Sequence, residues 1–217
     1  MVVIYSVEGN IGSGKSTFVN KLKSHFKNNK FSNYEEKDIC FLEEPVSIWE
    51  NIKNEDNKNI IECFYKNPEK YAFSFQIMAY ISRLALLRNA IKQNYKIIFT
   101  ERCVYTDKNV FAKMLHDSGM IEKINFEIYC KWFDEFISEF SNFEFIYIQT
   151  NPEIAHNRII KRNRTGEDIP LDYIKKCHNY HEDWLKQNKN VTILNGNVER
   201  NLEDLYTDWI LEIMMKS

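Results

Sequence analysis

Residues 9–16 of the sequence read Gly-Asn-Ile-Gly-Ser-Gly-Lys-Ser, a complete G-x-x-x-x-G-K-S phosphate-binding loop. In such a loop, backbone N–H groups and the N-terminus of the following helix converge on phosphate oxygens. Lys15 is then placed to reach the β- and γ-phosphates of a nucleotide, and the Ser16 hydroxyl to coordinate Mg²⁺. The loop therefore predicts that the chain binds a nucleotide.

Two carboxylates stand where predicted strands end, which is where parallel α/β proteins bind their ligands. Glu101 follows an apolar run and can hold Mg²⁺, while the adjacent Arg102 can neutralise charge on a transferring phosphoryl group. Glu44 precedes Pro45 at the end of another run, a position suited to a general base. An exposed turn carboxylate is the alternative interpretation of Glu44.

The same phosphate-binding loop occurs in GTPases, motor ATPases and kinases. Guanine readers carry the motif N-K-x-D, but the Asn-Lys pairs of this chain are followed by Ser32, Ile60 and Val191 at the aspartate position. Motor ATPases usually end a strand in Asp or Asp-Glu, whereas this strand ends in Glu101-Arg102. Ordinary guanine recognition is therefore excluded, and the strand end is unlike that of a motor ATPase.

Gln76, Ala79 and Arg83 lie at i, i+3 and i+7 of a long apolar segment, so a helix there places them on one stripe. A glutamine amide offers a hydrogen-bond donor and an acceptor side by side. This pair complements the edge of adenine or cytosine and, after rotation, the inverse edges. The stripe therefore predicts a base-binding cavity, with a solvent-facing polar stripe as the alternative.

Five short apolar runs, rich in β-branched or aromatic residues, recur with helical segments between them. They cover residues 2–7, 38–43, 96–100, 145–149 and 191–194. This alternation predicts an α/β fold in which helices flank a parallel sheet, in a single domain that spans residues 1–217.

Two of the predicted helices are unusually apolar. The segment 72–93 is apolar on most sides, which predicts that more than one neighbour buries it. The segment 122–140 carries aromatic residues at i, i+3 and i+4 spacing. Pairing of these helices with copies of themselves predicts a homodimer, and packing within one subunit is the alternative.

Composition excludes several classes of protein. A net charge of −2 and 44% hydrophobic residues disfavour a disordered chain and a broad basic surface for nucleic acid. Five cysteines without a C-x-x-C pair predict reduced thiols. His178 and His181 are predicted to be surface residues of a helix rather than metal ligands.

The sequence carries no targeting or membrane signal. No signal peptide is recognised, and no apolar run approaches the roughly 18 residues that a membrane span needs. We therefore expect a cytoplasmic protein that does not bind membranes, with a mitochondrial or nuclear location left open.

Several further motifs follow one another along the chain. They are Glu43-Glu44-Pro45-Val46 with Trp49, Tyr65-Lys66-Asn67-Pro68, Ala72-Phe73-Ser74-Phe75-Gln76, Glu101-Arg102-Cys103-Val104-Tyr105-Thr106-Asp107, Arg162-Asn163-Arg164-Thr165-Gly166-Glu167-Asp168-Ile169-Pro170-Leu171 and His181-Glu182-Asp183-Trp184-Leu185. With these motifs in this order, from about residue 2 to residue 185, the chain resembles the cellular deoxynucleoside kinases.

The resemblance implies a doubly wound P-loop kinase of three layers that transfers the γ-phosphoryl group of ATP to the 5′-hydroxyl of a deoxynucleoside. It implies that Glu44 accepts the hydroxyl proton, that Lys15 and Arg102 balance the phosphoryl charge, and that Ser16 and Glu101 hold Mg²⁺. The implied ATP-binding residues are Gly9, Asn10, Ile11, Gly12, Ser13, Gly14, Lys15, Ser16, Thr17, Arg158, Arg162 and Arg164. The implied substrate-binding residues are Glu44, Trp49, Tyr65, Phe75, Gln76, Ala79, Arg83, Arg102, Asp107, Phe111 and Glu167.

Within that substrate set, Tyr65 and Glu167 are implied to hydrogen-bond the sugar 3′-hydroxyl, and Trp49, Phe75 and Phe111 to form the pocket walls. A core aromatic residue is the alternative for Tyr65, and a salt bridge within the lid is the alternative for Glu167. In the family, an arginine and an aspartate at the positions of Arg83 and Asp107 mark the branch that phosphorylates deoxycytidine, deoxyguanosine and deoxyadenosine. We therefore expect purine deoxynucleosides and deoxycytidine as substrates, with thymidine poor.

An arginine-rich lid over about residues 158–170 is implied to close over ATP. A polybasic contact with nucleic acid is the rival interpretation of its arginines, but the rest of the chain offers no basic footprint. The lid is shorter than is usual in the family. This difference leaves open whether Glu167 or Asp168 reaches the 3′-hydroxyl.

Two other functions compete with this hypothesis. A nucleoside monophosphate kinase, such as thymidylate kinase, shares the fold but needs positive groups for the phosphate of its acceptor. A non-catalytic nucleotide-binding subunit is the second alternative, although the phosphate, metal and base positions are all intact here. Turnover of deoxynucleosides rather than monophosphates separates the three.

Overall fold

A computed structural model describes residues 2–27, 29, 34–140, 142–164, 168–198 and 202–216 of the chain. Its strands are β1 (Val3–Glu8), β2 (Ile39–Leu42), β3 (Ile97–Glu101), β4 (Phe143–Gln149) and β5 (Val191–Asn195). They form one five-stranded parallel sheet in the order β2-β3-β1-β4-β5. From the central β1, the chain first adds β2 and β3 on one side and then β4 and β5 on the other. A crevice therefore forms at the carboxyl ends of the strands, where such folds bind ligands.

The helices of the described residues are α1 (Lys15–Phe26), α2 (Val46–Glu50), α3 (Ile60–Lys66), α4 (Pro68–Lys92), α5 (Val104–Thr106), α6 (Lys113–Asp117), α7 (Lys123–Ile137), α8 (Pro152–Arg162), α9 (Leu171–Leu185) and α10 (Leu202–Lys216). A 3₁₀ turn covers Glu36–Asp38, and a π-helical turn (Asp107–Ala112) joins α5 to α6. Pro68 and Pro152 start their helices at the first position, where no N–H partner is needed. Asn67 caps α4 by accepting the N–H of Lys70.

Successive residues of each strand face opposite sides of the sheet, and this alternation divides the core into two layers. On one side Phe99, Ile146 and Ile148 pack against α1 and α10. On the other side Ile98 and Phe145 pack against α4, α7 and α9. Because both faces are covered, the strands read as nearly continuous apolar runs, which is the pattern that made them recognisable in the sequence.

The predicted α/β fold with a parallel sheet is therefore confirmed, and the strands start and end close to their predicted limits. The two long helices also exist, as Pro68–Lys92 and Lys123–Ile137, so the first begins earlier and the second is shorter than predicted. All five cysteines are free thiols, as predicted. None of the helices in the described ranges is long and apolar enough to cross a membrane.

The prediction that His181 lies on the surface is wrong. Its ring is fully buried in α9, where Nδ1 lies 2.7 Å from the carbonyl oxygen of Cys177, and it stacks parallel to Tyr147. Burial lowers its pKa to about 3, so the ring is neutral at physiological pH. The prediction failed because two histidines at i and i+3 do not reveal which face of a helix they occupy, while Ile174 and Cys177 show that this face points inward.

Candidate active site

A cavity of about 710 Å³ opens at the carboxyl edge of the sheet. Most of the predicted site residues line it: Ile11, Gly12, Ser13, Gly14, Lys15, Ser16, Thr17, Glu44, Trp49, Tyr65, Phe75, Gln76, Ala79, Arg83, Glu101, Arg102, Asp107, Phe111, Arg158, Arg162 and Arg164. Gly9 and Asn10 are not part of the lining, and Glu167 lies outside the described residues. Residues far apart in the sequence therefore share one concave surface.

The phosphate-binding loop is fixed by its packing against α8 and α9. Gly12 adopts φ +76°, and a Cβ there would lie 2.3 Å from the carbonyl oxygen of Ala155, so no larger residue fits without displacement. The buried side chain of Asn10 donates to the carbonyl oxygen of Ile174 at 2.8 Å and accepts the N–H of Ile11. Asn10 therefore shapes the loop from behind rather than facing the cavity.

Lys15 is buried at the start of α1, and its Nζ donates to the carbonyl oxygen of Asn10 at 2.8 Å. Burial, together with the positive charge of Arg102, lowers its pKa to about 7, while Glu101, Glu44 and Glu8 oppose the shift. An anion in the cavity favours the charged form of this lysine, because opposite charges attract strongly where water is excluded.

The arginines of the predicted lid do not all face the cavity in the same way. Arg158 donates to the carbonyl oxygens of Ser13 and Gly196, at 3.3 and 3.0 Å, so it ties α8 to the phosphate-binding loop. Arg162 ends α8, and Arg164 follows it on an exposed segment. A polar rim of cationic side chains thus borders the phosphate end of the cavity.

Ser16 and Glu101 meet beside the loop, as their positions at the start of α1 and the end of β3 require. The Ser16 hydroxyl donates to Glu101 Oε1 at 2.7 Å. A hydroxyl and a carboxylate oxygen are hard ligands of the kind that Mg²⁺ takes, usually with substrate phosphates and water completing the shell.

Buried charges link the ends of β2 and β3 to α4. Glu44 Oε1 accepts hydrogen bonds from Arg83 Nη2 and, at 2.8 Å, from Arg102 Nη1. Arg83 also donates to Asp107 Oδ1 at 3.2 Å and to the carbonyl oxygen of Glu101 at 2.8 Å. Because Arg102 Nη2 reaches the carbonyl oxygen of Gly9, the same network connects Glu44 to the phosphate-binding loop.

The network sets the ionisation of its members. Burial raises the pKa of Glu44, but Arg102, Arg83 and Lys15 outweigh it and lower that pKa to about 2. For Asp107 burial dominates over the attraction of Arg83 and raises the pKa to about 6. Glu44 is therefore held as a carboxylate, whereas the charge of Asp107 is less strongly stabilised.

The opposite end of the cavity has aromatic walls. The Trp49 ring lies edge-on to Phe75 with centroids 5.5 Å apart, and Trp49 Nε1 donates to Ser82 Oγ at 2.9 Å. The guanidinium of Arg83 lies over Trp49, and that of Arg102 lies over Phe111. These contacts fix flat apolar surfaces next to polar groups, which is what a flat heteroaromatic ligand needs.

Several buried polar atoms that line the cavity have no hydrogen-bond partner in the described structure: Ser13 Oγ, Gln76 Oε1, Arg102 Nε and Asp107 Oδ2. Burying such an atom unpaired costs about 1–3 kcal/mol. All four atoms belong to residues of the cavity lining, so polar groups of a ligand bound there are candidate partners for them.

Sequence reasoning missed some residues of this site. Tyr173 of α9 lines the cavity and packs in one cluster with Tyr65, while Tyr206 and Trp209 of α10 line it beside the phosphate-binding loop. A tyrosine or tryptophan on an amphipathic helix resembles an ordinary core residue, so no sequence signal identified them. Glu8, which does not line the cavity, was also missed: this fully buried carboxylate ends β1, directly before the loop. An acidic residue inside an apolar strand is a signal that could have found it.

Comparisons with known proteins agree with this geometry. The sequence model of the deoxynucleoside kinase family matches residues 5–213. The chain is 33% identical to deoxycytidine kinase of Homo sapiens over 96% of this chain and 88% of that protein. It is 35% identical to deoxycytidine kinase of Mus musculus over 83% of this chain and 74% of that protein. It is 29% identical to mitochondrial deoxyguanosine kinase of Xenopus laevis over 92% and 82% of the two chains.

Arg83 is expected to be essential for stability. Its side chain is only 6% exposed, and Arg83→Met leaves Asp107 without its ion-pair partner. Because an uncompensated buried charge is costly, we expect the free energy of unfolding to fall by about 3–5 kcal/mol in urea titrations at pH 8.

Arg88→Met is the matched control, since Arg88 lies on the same helix with its side chain 44% exposed and pairs with Glu139. Its loss is expected to cost less than about 1 kcal/mol. Adding Asp107→Asn to Arg83→Met is expected to restore part of the stability. Equal effects of the two methionine variants would show that the buried network is not needed for stability.

Proposed function

The chain belongs to the deoxynucleoside kinase family, and from that premise we propose that it transfers the γ-phosphoryl group of ATP to the 5′-hydroxyl of a purine deoxynucleoside or deoxycytidine. The observation that carries this proposal is a single cavity that joins a phosphate-binding loop to the Gln76, Arg83 and Asp107 side chains. Glu44 accepts hydrogen bonds from Arg83 and Arg102. Arg83 also reaches Asp107, and Arg102 also reaches Gly9 of the phosphate-binding loop, so the two arginines connect Glu44 to both ends of the cavity.

In this proposal Glu44 is the general base. Its Oε1 is occupied by the two arginines, so Oε2 is the oxygen that takes the proton of the 5′-hydroxyl. Lys15 and Arg102 face the transferring group and balance its charge, a role in which an arginine can be worth about 10³–10⁵ in rate. Arg158, Arg162 and Arg164 border the donor phosphates, and Tyr65 with Tyr173 borders the sugar.

A pKa of about 2 makes Glu44 a weak base as long as Arg102, Arg83 and Lys15 interact with it and not with phosphate. The triphosphate brings negative charge to Lys15 and Arg102, which are among the groups that hold this pKa down. Sharing these cations with phosphate weakens their hold on Glu44 and raises its pKa towards the working range. The base therefore gains strength when the donor is bound.

Ser16 and Glu101 are the residues that would hold Mg²⁺, and their hydroxyl and carboxylate oxygens suit it. Bound there with the donor phosphates, Mg²⁺ supplies positive charge that neutralises the phosphoryl oxygens.

The polar groups at the base end favour bases that carry an exocyclic amino group. In the part of the chain that the structure describes, the acceptors Gln76 Oε1 and Asp107 Oδ2 have no hydrogen-bond donor, and the amino group of cytosine, adenine or guanine can provide one. Thymine has the carbonyl oxygen O4 where cytosine has its amino group. In the same position this oxygen faces the acceptors of Gln76 and Asp107 and cannot donate a hydrogen bond to them. A site that leaves buried polar groups unpaired discriminates strongly against such a ligand, and on this ground we propose that thymidine binds poorly.

We further propose a homodimer through α4 and α7. Ile124, Ile128 and Trp132 follow one another at i, i+4 and i+8 on α7 and are 63%, 43% and 53% exposed. The opposite face of α7 is buried against α4, where the Tyr80 hydroxyl donates to the carbonyl oxygen of Trp132. Ile81 of α4 is 50% exposed. A second copy is the proposed partner, because the same apolar stripe on each subunit can cover the other around a two-fold axis.

The proposed reaction is tested by initial rates with ATP and Mg²⁺ against deoxyadenosine, deoxyguanosine, deoxycytidine and thymidine at pH 8, with the four monophosphates as controls. We expect at least one of the first three to be phosphorylated with kcat/KM at least about 10²-fold above that of thymidine. Thymidine as the best substrate would contradict the proposed base selectivity. Activity confined to monophosphates would instead identify a nucleoside monophosphate kinase.

Glu44→Gln is expected to lower kcat by about 10²–10⁴-fold, because the amide cannot accept the 5′-hydroxyl proton. Glu43→Gln is the matched control, because the side chain of Glu43 precedes Glu44, is 60% exposed and pairs with Lys23. It is expected to keep kcat within about 3-fold. Steady-state rates, with ATP binding measured by calorimetry, check both variants. Wild-type turnover in Glu44→Gln would remove Glu44 from the role of base.

Trp132→Glu is expected to halve the native mass, from twice the 26.0 kDa of one chain to that of a monomer, because a carboxylate on the stripe must be desolvated in the dimer. Lys131→Glu introduces a carboxylate at the exposed neighbouring position and is expected to stay dimeric. Light scattering after gel filtration measures both. A wild-type monomer would refute the proposed dimer.

A further inference from the structure

We propose that Glu8 is a positioning residue: through the Thr106 hydroxyl it fixes the backbone at Arg102 and thereby aims the Arg102 guanidinium at the transferring phosphoryl group. This inference rests on the proposed function, because it needs Arg102 to act on that group. It assigns a role to a buried carboxylate that does not line the cavity.

The backbone at Arg102 needs such support. Arg102 is a non-glycine residue with φ +59°, in the left-handed region, between the end of β3 and the start of α5. Holding a side-chain-bearing residue there costs of order 1–3 kcal/mol and persists only where the surroundings determine it. This conformation turns the chain so that the guanidinium reaches both Glu44 and Gly9.

Both peptide groups that flank Arg102 are held by specific hydrogen bonds. Its own N–H donates to the carbonyl oxygen of Val7 at 3.0 Å, next to Glu8. Its carbonyl oxygen accepts from the Thr100 hydroxyl at 2.8 Å. The following N–H, that of Cys103, donates to Thr106 Oγ1 at 3.4 Å.

Glu8 decides which way the Thr106 hydroxyl points. Thr106 Oγ1 donates to Glu8 Oε2 at 2.6 Å, so its lone pairs are left for the N–H of Cys103. Glu8 Oε1 accepts from Ser6 Oγ at 2.6 Å and from Cys103 Sγ at 3.3 Å. The carboxylate therefore joins β1 to the first turn of α5 by accepting hydrogen bonds from both.

The environment of Glu8 is not one that fold stability alone favours. Glu8 is fully buried, and no lysine or arginine of the described residues forms an ion pair with it, although Lys15 and Arg102 attract its charge from a greater distance. A buried carboxylate without a direct ion pair costs free energy that a neutral residue avoids. Its charge-assisted hydrogen bonds are shorter and stronger than neutral ones, and they hold the Arg102 turn more rigidly.

The test uses Thr106→Val, which removes the hydroxyl while keeping size and the Glu8 charge, with Thr106→Ser as the matched control. Two further variants change other contacts of the Arg102 turn. Glu8→Gln alters the acceptor of the Thr106 hydroxyl, and Thr100→Val removes the donor to the Arg102 carbonyl oxygen. Because a misplacement of about 1 Å can cost about 10²-fold in rate, we expect Thr106→Val to lower kcat by about 10–100-fold. The KM values for ATP and deoxynucleoside are expected to stay within about 3-fold, and Thr106→Ser is expected to retain wild-type kcat within about 3-fold.

The deciding measurement repeats Thr106→Val in an Arg102→Ala background, alongside thermal unfolding of every variant. If Thr106 acts through Arg102, its removal changes kcat by less than about 2-fold once Arg102 is absent. An equal loss in both backgrounds, or an unchanged kcat in folded Thr106→Val, overturns the proposal. If Thr106→Val does not fold, Glu8→Gln is carried through the same cycle, because it alters the carboxylate that holds the Thr106 hydroxyl.

The two proposals fail differently. A wild-type protein that phosphorylates no deoxynucleoside ends the proposed function, and this inference with it. An active wild type with an equally active Arg102→Ala removes Arg102 from the chemistry and therefore also removes the role of Glu8. An active wild type with a crippled Arg102→Ala, but equal Thr106→Val losses in both backgrounds, leaves the kinase intact and overturns only the role of Glu8.

Discussion

The pairing of Glu44 with Arg83 and Arg102, away from bulk water, is the constraint on which the site depends. An ion taken out of water is tolerated only when its partners and hydrogen bonds are complete. Glu44 follows β2, Arg83 lies on α4 and Arg102 follows β3, so satisfying this carboxylate fixes three elements relative to one another. Asp107 adds the π-helical turn to the same assembly.

This constraint also prepares the cavity for chemistry. Arg102 bridges Glu44 and the carbonyl oxygen of Gly9, so the proposed base and the phosphate-binding loop are held at a set separation before any ligand arrives. Preorganised charges need little rearrangement during reaction, which is the main source of electrostatic catalysis. The cost is visible in buried atoms such as Gln76 Oε1 and Asp107 Oδ2, which have no hydrogen-bond partner among the described residues.

The sheet, the loop and the long helices could be predicted because their signals are local. Strands covered on both faces give apolar runs, and Gly12 reflects a φ of +76° with no room for a Cβ. The burial of His181 and the place of Tyr173 in the cavity could not be predicted in the same way, and Glu8 was recognisable only as an acidic residue in an apolar strand, without its partners. Each depends on what packs against the residue from a distant part of the chain, such as Tyr147 against His181 or Thr106 against Glu8.

The sequence alone determined the family, the fold and the identity of the chemical groups, since spaced motifs carry this information without reference to distance. Only the tertiary structure decided how those groups share charge. It shows that one oxygen of Glu44 accepts hydrogen bonds from two arginines and that Arg158 donates to backbone carbonyls beside the loop. It also shows that Glu8 accepts the hydrogen bond of the Thr106 hydroxyl. The reason is that hydrogen bonding and desolvation depend on separations of a few ångströms between residues remote in sequence, which no spacing of letters specifies.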